Sequence, residues 1–73
     1  MVAPAPTEIL FVVEDDAEGG FVATAASASI ITQADTLEEL RTMVRDAVAC
    51  HFDEAERPKL IRLHYVRDEV FAA

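Results

Sequence analysis

The chain has 73 residues, with 14 acidic and 6 basic side chains, a net charge of −8 and 52% hydrophobic residues. That length makes one small domain, and the apolar content is too high for a disordered polar tail. The acidic balance argues against direct nucleic-acid binding, the longest uncharged apolar run (Ile9–Val13) falls far short of the roughly 20 residues that span a bilayer, and the single cysteine, Cys50, excludes a disulfide within the chain.

Residues 1–7 are small and bear two prolines, Pro4 and Pro6, which favour extended structure and remove two backbone donors. They are expected to form a flexible lead-in to a single domain over residues 8–73. The lead-in has neither the basic start nor the long apolar core of a secretory leader, so a cytoplasmic protein is expected. Glu8–Glu14 (EILFVVE) is a continuous apolar run of strand length. Asp15–Gly20 (DDAEGG) is a turn, in which Gly19 and Gly20 supply the positive φ that closes a hairpin and the carboxylates stay in water. Phe21–Ala25 is the return strand, and Ser29–Gln33 a short third strand after the weakly patterned Ala26–Ser29.

Thr36-Leu37-Glu38-Glu39 has the form of a capping box: the Thr36 hydroxyl accepts from the Glu39 N–H, and the Glu39 carboxylate reaches back to the Thr36 N–H. The helix it opens runs to about His51 and places Leu37, Leu40, Val44, Ala47, Val48 and His51 on one apolar face. Asp53–Pro58 is a charged loop closed by a proline. Lys59–Val66 is a fourth strand that alternates Ile61, Leu63 and Tyr65 with Arg62 and His64.

Strand–strand–strand–helix–strand predicts an α+β, two-layer β-β-β-α-β fold. The first three strands form an antiparallel meander, and a right-handed crossover through the helix lays the fourth beside the first, for a sheet order of 3-2-1-4. Parity then sorts the faces. Ile9, Phe11, Val13, Phe21, Ala23, Ile61, Leu63 and Tyr65 belong under the helix. Leu10, Val12, Glu14, Val22, Thr24, Arg62 and His64 belong to a face that one helix cannot also cover, and all of these but Glu14 are the candidate interface residues. Its apolar centre is the expected interface, because uncovered apolar patches mark association and chains this small need added stabilisation.

Two motifs and their order carry a family resemblance. Gly19-Gly20-Phe21-Val22-Ala23 after the first strand, and Asp35-Thr36-Leu37-Glu38-Glu39 opening the helix, resemble the N-terminal domain of HicB-like antitoxins over about residues 8–52, with the final strand also in place. The resemblance implies a truncated ribonuclease H-like fold, homo-oligomers and, in full-length members, binding of a small basic ribonuclease toxin. Such members add a C-terminal DNA-binding segment that is not expected here, so the chain reads as a short, solitary member of the group. They also carry a proline-rich loop where this chain has Ala25-Ala26-Ser27-Ala28-Ser29, and no toxin-contact residue is carried over.

The residues support little catalytic chemistry. Cys50 and His51 are neighbours on a helix and point about 100° apart, which does not suit one metal ion. His51 lies near the helix C-terminus, where packing or the helix dipole accounts for it. Glu14, Asp15, Asp16 and Glu18 invite a two-metal hydrolase reading, but they fall in a turn where carboxylates are ordinarily solvated, and no second acidic cluster converges with them. Lys59, Arg62, His64 and Arg67 form a basic stripe that either balances nearby acids or meets the acids of a second copy. The expectation is therefore a non-enzymatic, oligomeric protein-interaction module with no cofactor and no membrane, whose partners are its own copies and a small basic protein. The alternatives are a small metal-dependent nuclease or hydrolase using the acidic turn, and a structural subunit of another assembly.

Overall fold

The computed structural model describes residues 7–73. The elements are β1 (Glu8–Asp15), β2 (Phe21–Ala25), β3 (Ile31–Ala34), α1 (Leu37–His51) and β4 (Leu60–Val66). The fold is α+β. One four-stranded sheet has the order β3-β2-β1-β4, with antiparallel β1–β2 and β2–β3 pairs and β4 parallel to β1, as the crossover argument requires. Most of the expected lead-in, residues 1–6, lies outside the described residues. Thr7 does not belong to it: its carbonyl accepts from the N–H groups of Lys59 and Leu60 and starts the parallel ladder.

The β1–β2 hairpin closes on the two expected glycines. Gly19 and Gly20 have φ of +103° and +81°, the left-handed region that only glycine enters at little cost. The turn is tied by Gly19 N–H to Asp16 O and by Asp16 N–H to Gly20 O, both at 3.0 Å. Gly20 has a second reason to be glycine, since a Cβ there would sit 2.6 Å from the Ala34 carbonyl oxygen at the end of β3.

The third strand differs from its expected bounds of Ser29–Gln33. Ala25 N–H donates to Ile30 O and Ile30 N–H to Ala28 O, so Ser29 and Ile30 belong to the turn and pairing begins at Ile31. Ile30 is drawn into the core by this turn, and Ile31 is left on the other face. Small, weakly patterned residues carry no hydrophobic period to mark this boundary; the backbone bonds of the reversal set it.

Thr36 caps α1 as expected, with its hydroxyl accepting from Glu39 N–H at 3.1 Å. Among the described residues the reciprocal bond from the Glu39 carboxylate is not formed. Leu40, Val44 and Val48, spaced by four, are buried, and Leu37 and Ala47 flank them half-buried. His51 departs from the expected apolar face: it is exposed and stacks edge-on against Phe52, with ring centroids 4.9 Å apart. The helix ends where Phe52 turns extended and its N–H returns to Val48 O. Arg57 Nη2 reaches back to the Ala49 carbonyl at 3.2 Å and satisfies one of the open groups of the last turn.

The core lies between α1 and one sheet face. It comprises Ile9, Phe11 and Val13 of β1, Ala23 and Ala25 of β2, Ile30, and the three buried helix residues. Ile61, Leu63 and Phe21 pack on its margin. Tyr65, expected under the helix, is at the rim and partly exposed, its ring meeting Phe21 edge-on at 5.9 Å. The reason is the helix position: α1 lies over β2 and β3 rather than over the centre of the sheet, and so leaves the β4 side partly open.

Candidate functional site

The open face follows from period-two alternation and the register. Reading across the sheet, one row is Ile31, Thr24, Val12, His64 and the next is Gln33, Val22, Glu14, Val66. Leu10 opposite Arg62, and Glu8 opposite Leu60, complete it toward the start of β1. All six candidate interface residues (Leu10, Val12, Val22, Thr24, Arg62 and His64) are on it, and so is Glu14. Val12 and Val22 are half-buried by their neighbours, and the other four candidates are exposed.

The face is more apolar than those six residues imply. Ile31 is 73% exposed and Leu60 63% exposed, and Val66 also opens to solvent there. None of the three was foreseen as part of the surface. Ile31 depends on the true start of β3, whereas Leu60 and Val66 share the parity of Arg62 and His64 and were legible from alternation alone. No element covers any of them among the described residues.

The basic stripe is divided by the fold. The Arg62 guanidinium is paired with the Glu8 carboxylate along the open face. Arg67 donates from Nε and Nη2 to the two carboxylate oxygens of Asp15 at 3.1 and 3.5 Å, the forked geometry that favours arginine. Both pairs are solvent-exposed, which limits each to the small contribution usual for surface ion pairs. These arginines therefore balance acids of their own chain.

The four remaining cations share another location. Arg41, Arg45, Arg57 and Lys59 rim a groove of about 700 Å³ between α1 and β4, with Val44, Val48, Pro58, Ile61 and Leu63 along its floor. No carboxylate lines it among the described residues. At the other end, between the hairpin turn and the helix start, a shallow cleft of about 1060 Å³ is lined by Asp16, Glu18, Asp35, Glu38 and Glu39 with no cation. Tyr65 stands at the groove's edge. Partial desolvation pushes its hydroxyl above the ordinary tyrosine value, Arg67 and Arg41 act to lower it, and Asp15 acts to raise it.

The acidic turn is structural in its bonding. Asp15 holds Arg67, and the Asp16 carboxylate accepts from Glu18 N–H at 3.5 Å inside the turn. Glu14 faces the open side, away from Asp15. Among the described residues no three His, Cys, Asp or Glu side chains are grouped to hold a metal ion. Cys50 is free and exposed. No helix among the described residues is long and apolar enough to cross a membrane.

Fold and surface together define, among the described residues, a small α+β domain with one helix, one covered sheet face and one uncovered face. The chain belongs to the UPF0150 family. It is 56% identical over 52 residues to a UPF0150 protein of Archaeoglobus fulgidus, covering 71% of this chain and 77% of that protein. It is 43% identical over 65 residues to a UPF0150 protein of Thermotoga maritima, covering 89% of this chain and 91% of that one. No family model matches the chain, and no solved structure matches it.

Proposed function

We propose that the chain is a non-enzymatic, oligomeric protein-interaction module of the HicB-like type, acting in the cytoplasm and binding a small basic protein through the helix-free sheet face. The observation that carries this reading is the uncovered apolar surface formed by Leu10, Val12, Val22, Ile31, Leu60 and Val66 on a rigid sheet. Hydrating apolar surface is unfavourable, and covering such a patch releases on the order of 25 cal/mol per Å² of apolar area. The acidic cleft and the net charge of −8 support a basic partner, because complementary fields raise the encounter rate. The Gly19–Ala23 and Asp35–Glu39 segments, in hairpin and helix cap, support the HicB-like type.

The test is affinity purification of the tagged chain from its host beside a Leu10→Asp/Ile31→Asp variant, with light scattering on both. The expected result is a small basic protein held by the native chain and lost from the variant, with the native chain larger than a monomer. A native chain that is monomeric and holds nothing, or a variant that retains the same protein, overturns the reading.

A further inference from the structure

The groove beside β4 has an open strand edge as one wall, and the chain itself carries a segment of matching chemistry. Leu60 N–H bonds Thr7 O, so the amides of the even-numbered β4 residues address β1, and those of Ile61, Leu63 and Tyr65 point outward, where no strand among the described residues receives them. A seven-residue edge of this kind is a ready template for another strand, and native proteins pair or protect such edges. Beyond β4 the chain continues as Arg67-Asp68-Glu69-Val70-Phe71, acidic and then apolar. Val70 is 94% and Phe71 79% exposed, and Asp68 and Glu69 are exposed as well.

We propose that β4 pairs with β4 of a second copy, antiparallel about a two-fold axis, so that each copy's Asp68–Glu69 settles against Arg57 and Lys59 of the other. The inference rests on the oligomeric reading above and names its interface, which is distinct from the open face. The register follows from parity. Only residues 61, 63 and 65 offer free amides, and centring the axis on Leu63 uses all of them, with Ile61 opposite Tyr65 and Leu63 opposite itself. The same register sets Asp68 opposite Pro58 and Glu69 opposite Arg57. It also places Arg67 opposite Lys59, a like pair, but Arg67 is already neutralised by its own Asp15. The chain then carries Val70 and Phe71 past Arg57 toward the loop that follows α1. Isologous pairing uses the same patch twice and closes, so it forms a dimer rather than a fibre.

The experiment is sedimentation equilibrium of the full chain at low and high salt, with hydrogen exchange resolved to single amides. The expected result is a dimer that weakens with salt, with concentration-dependent protection of the Ile61, Leu63 and Tyr65 amides. Asp68→Lys/Glu69→Lys is expected to weaken association at least tenfold, Arg57→Glu/Lys59→Glu to do the same, and the four changes together to restore it. Should the variant at Arg57 unfold through loss of its bond to Ala49, the tail variant decides alone, since Asp68 and Glu69 are solvent-exposed. Association indifferent to the tail variant overturns the inference. If that association is lost instead in Leu10→Asp/Ile31→Asp, the open-face reading survives and this interface fails. A chain that is monomeric at all concentrations yet retains a basic protein overturns this interface and the oligomeric part of the reading above, and leaves its partner-binding part standing.

Discussion

The two faces of the sheet are built from nearly the same residue types and end in opposite states. Along β1, Phe11 and Val13 are fully buried, while Leu10 between its odd-numbered neighbours is 36% exposed and Val12 is half-buried. The side-chain period of two sends alternate residues to opposite faces, and the single helix covers only one of them. On the proposed reading, hydrophobicity in this strand serves two purposes, folding on one face and a surface for association on the other. The two purposes are separable by mutation.

The largest expected separation is Phe11→Ala against Leu10→Ala. Removing the buried ring costs about 3–5 kcal/mol through lost transfer and the cavity left behind. A chain of this size has a total stability of about 4–11 kcal/mol, so urea unfolding should show Phe11→Ala marginal or unfolded. Leu10→Ala should stay within about 1 kcal/mol of the native chain, because its side chain already contacts solvent. Equal losses at the two positions would break the comparison and show that something covers the open face of the isolated chain.

The hairpin turn gives the next effect, again as a pair. Gly20→Ala meets both a positive φ and the Ala34 carbonyl at 2.6 Å, neither of which a flexible side chain can relieve. It should cost about 2–4 kcal/mol. Gly19→Ala meets the φ penalty alone, with open space around the added methyl, and should cost about 1 kcal/mol. Thermal melts of the two variants check this order. Thr36→Ala follows, removing the hydroxyl that accepts from Glu39 N–H, with an expected loss of about 1 kcal/mol in the same melts. Glu39→Ala should cost less, since its carboxylate makes no return bond to the cap and adds only its favourable position in the first turn.

Much of the architecture was legible because each signal in the sequence had one local cause. The paired glycines, the Thr36 cap and the four-residue spacing of Leu40, Val44 and Val48 each specify structure within a few residues, and the crossover rule then orders the strands. The misplacements arise where the cause is not local. The start of β3 depends on backbone bonds between Ala25, Ala28 and Ile30 among small side chains. Tyr65 and His51 look core-facing by period, yet their exposure depends on where the helix sits across the sheet, which periodicity does not encode. The division of the basic residues was hidden for the same reason: Arg62 and Arg67 find acids 54 and 52 positions away, and the other four cations gather only once α1 lies beside β4. The open face was legible largely as a set of positions, because alternation alone assigns most of them.

The smallest expected effect lies at the rim between the covered and open regions, at Tyr65. It is the only tyrosine and there is no tryptophan, so absorbance near the phenolate band reports this one group. Partial desolvation raises its hydroxyl above the ordinary value of about 10, against the lowering pull of Arg67 and Arg41. A spectrophotometric titration should therefore place its midpoint above that of the urea-unfolded chain. Arg67→Gln removes a cation that favours the phenolate and should move the midpoint higher still. The sign for stability follows from linkage: the folded state holds this proton more tightly than the unfolded state does. The contribution is complete below the unfolded value near 10 and is lost as the pH rises from there through the folded value. A midpoint that instead falls in Arg67→Gln would show that the Arg67 guanidinium does not act on the ring as a cation that favours the phenolate.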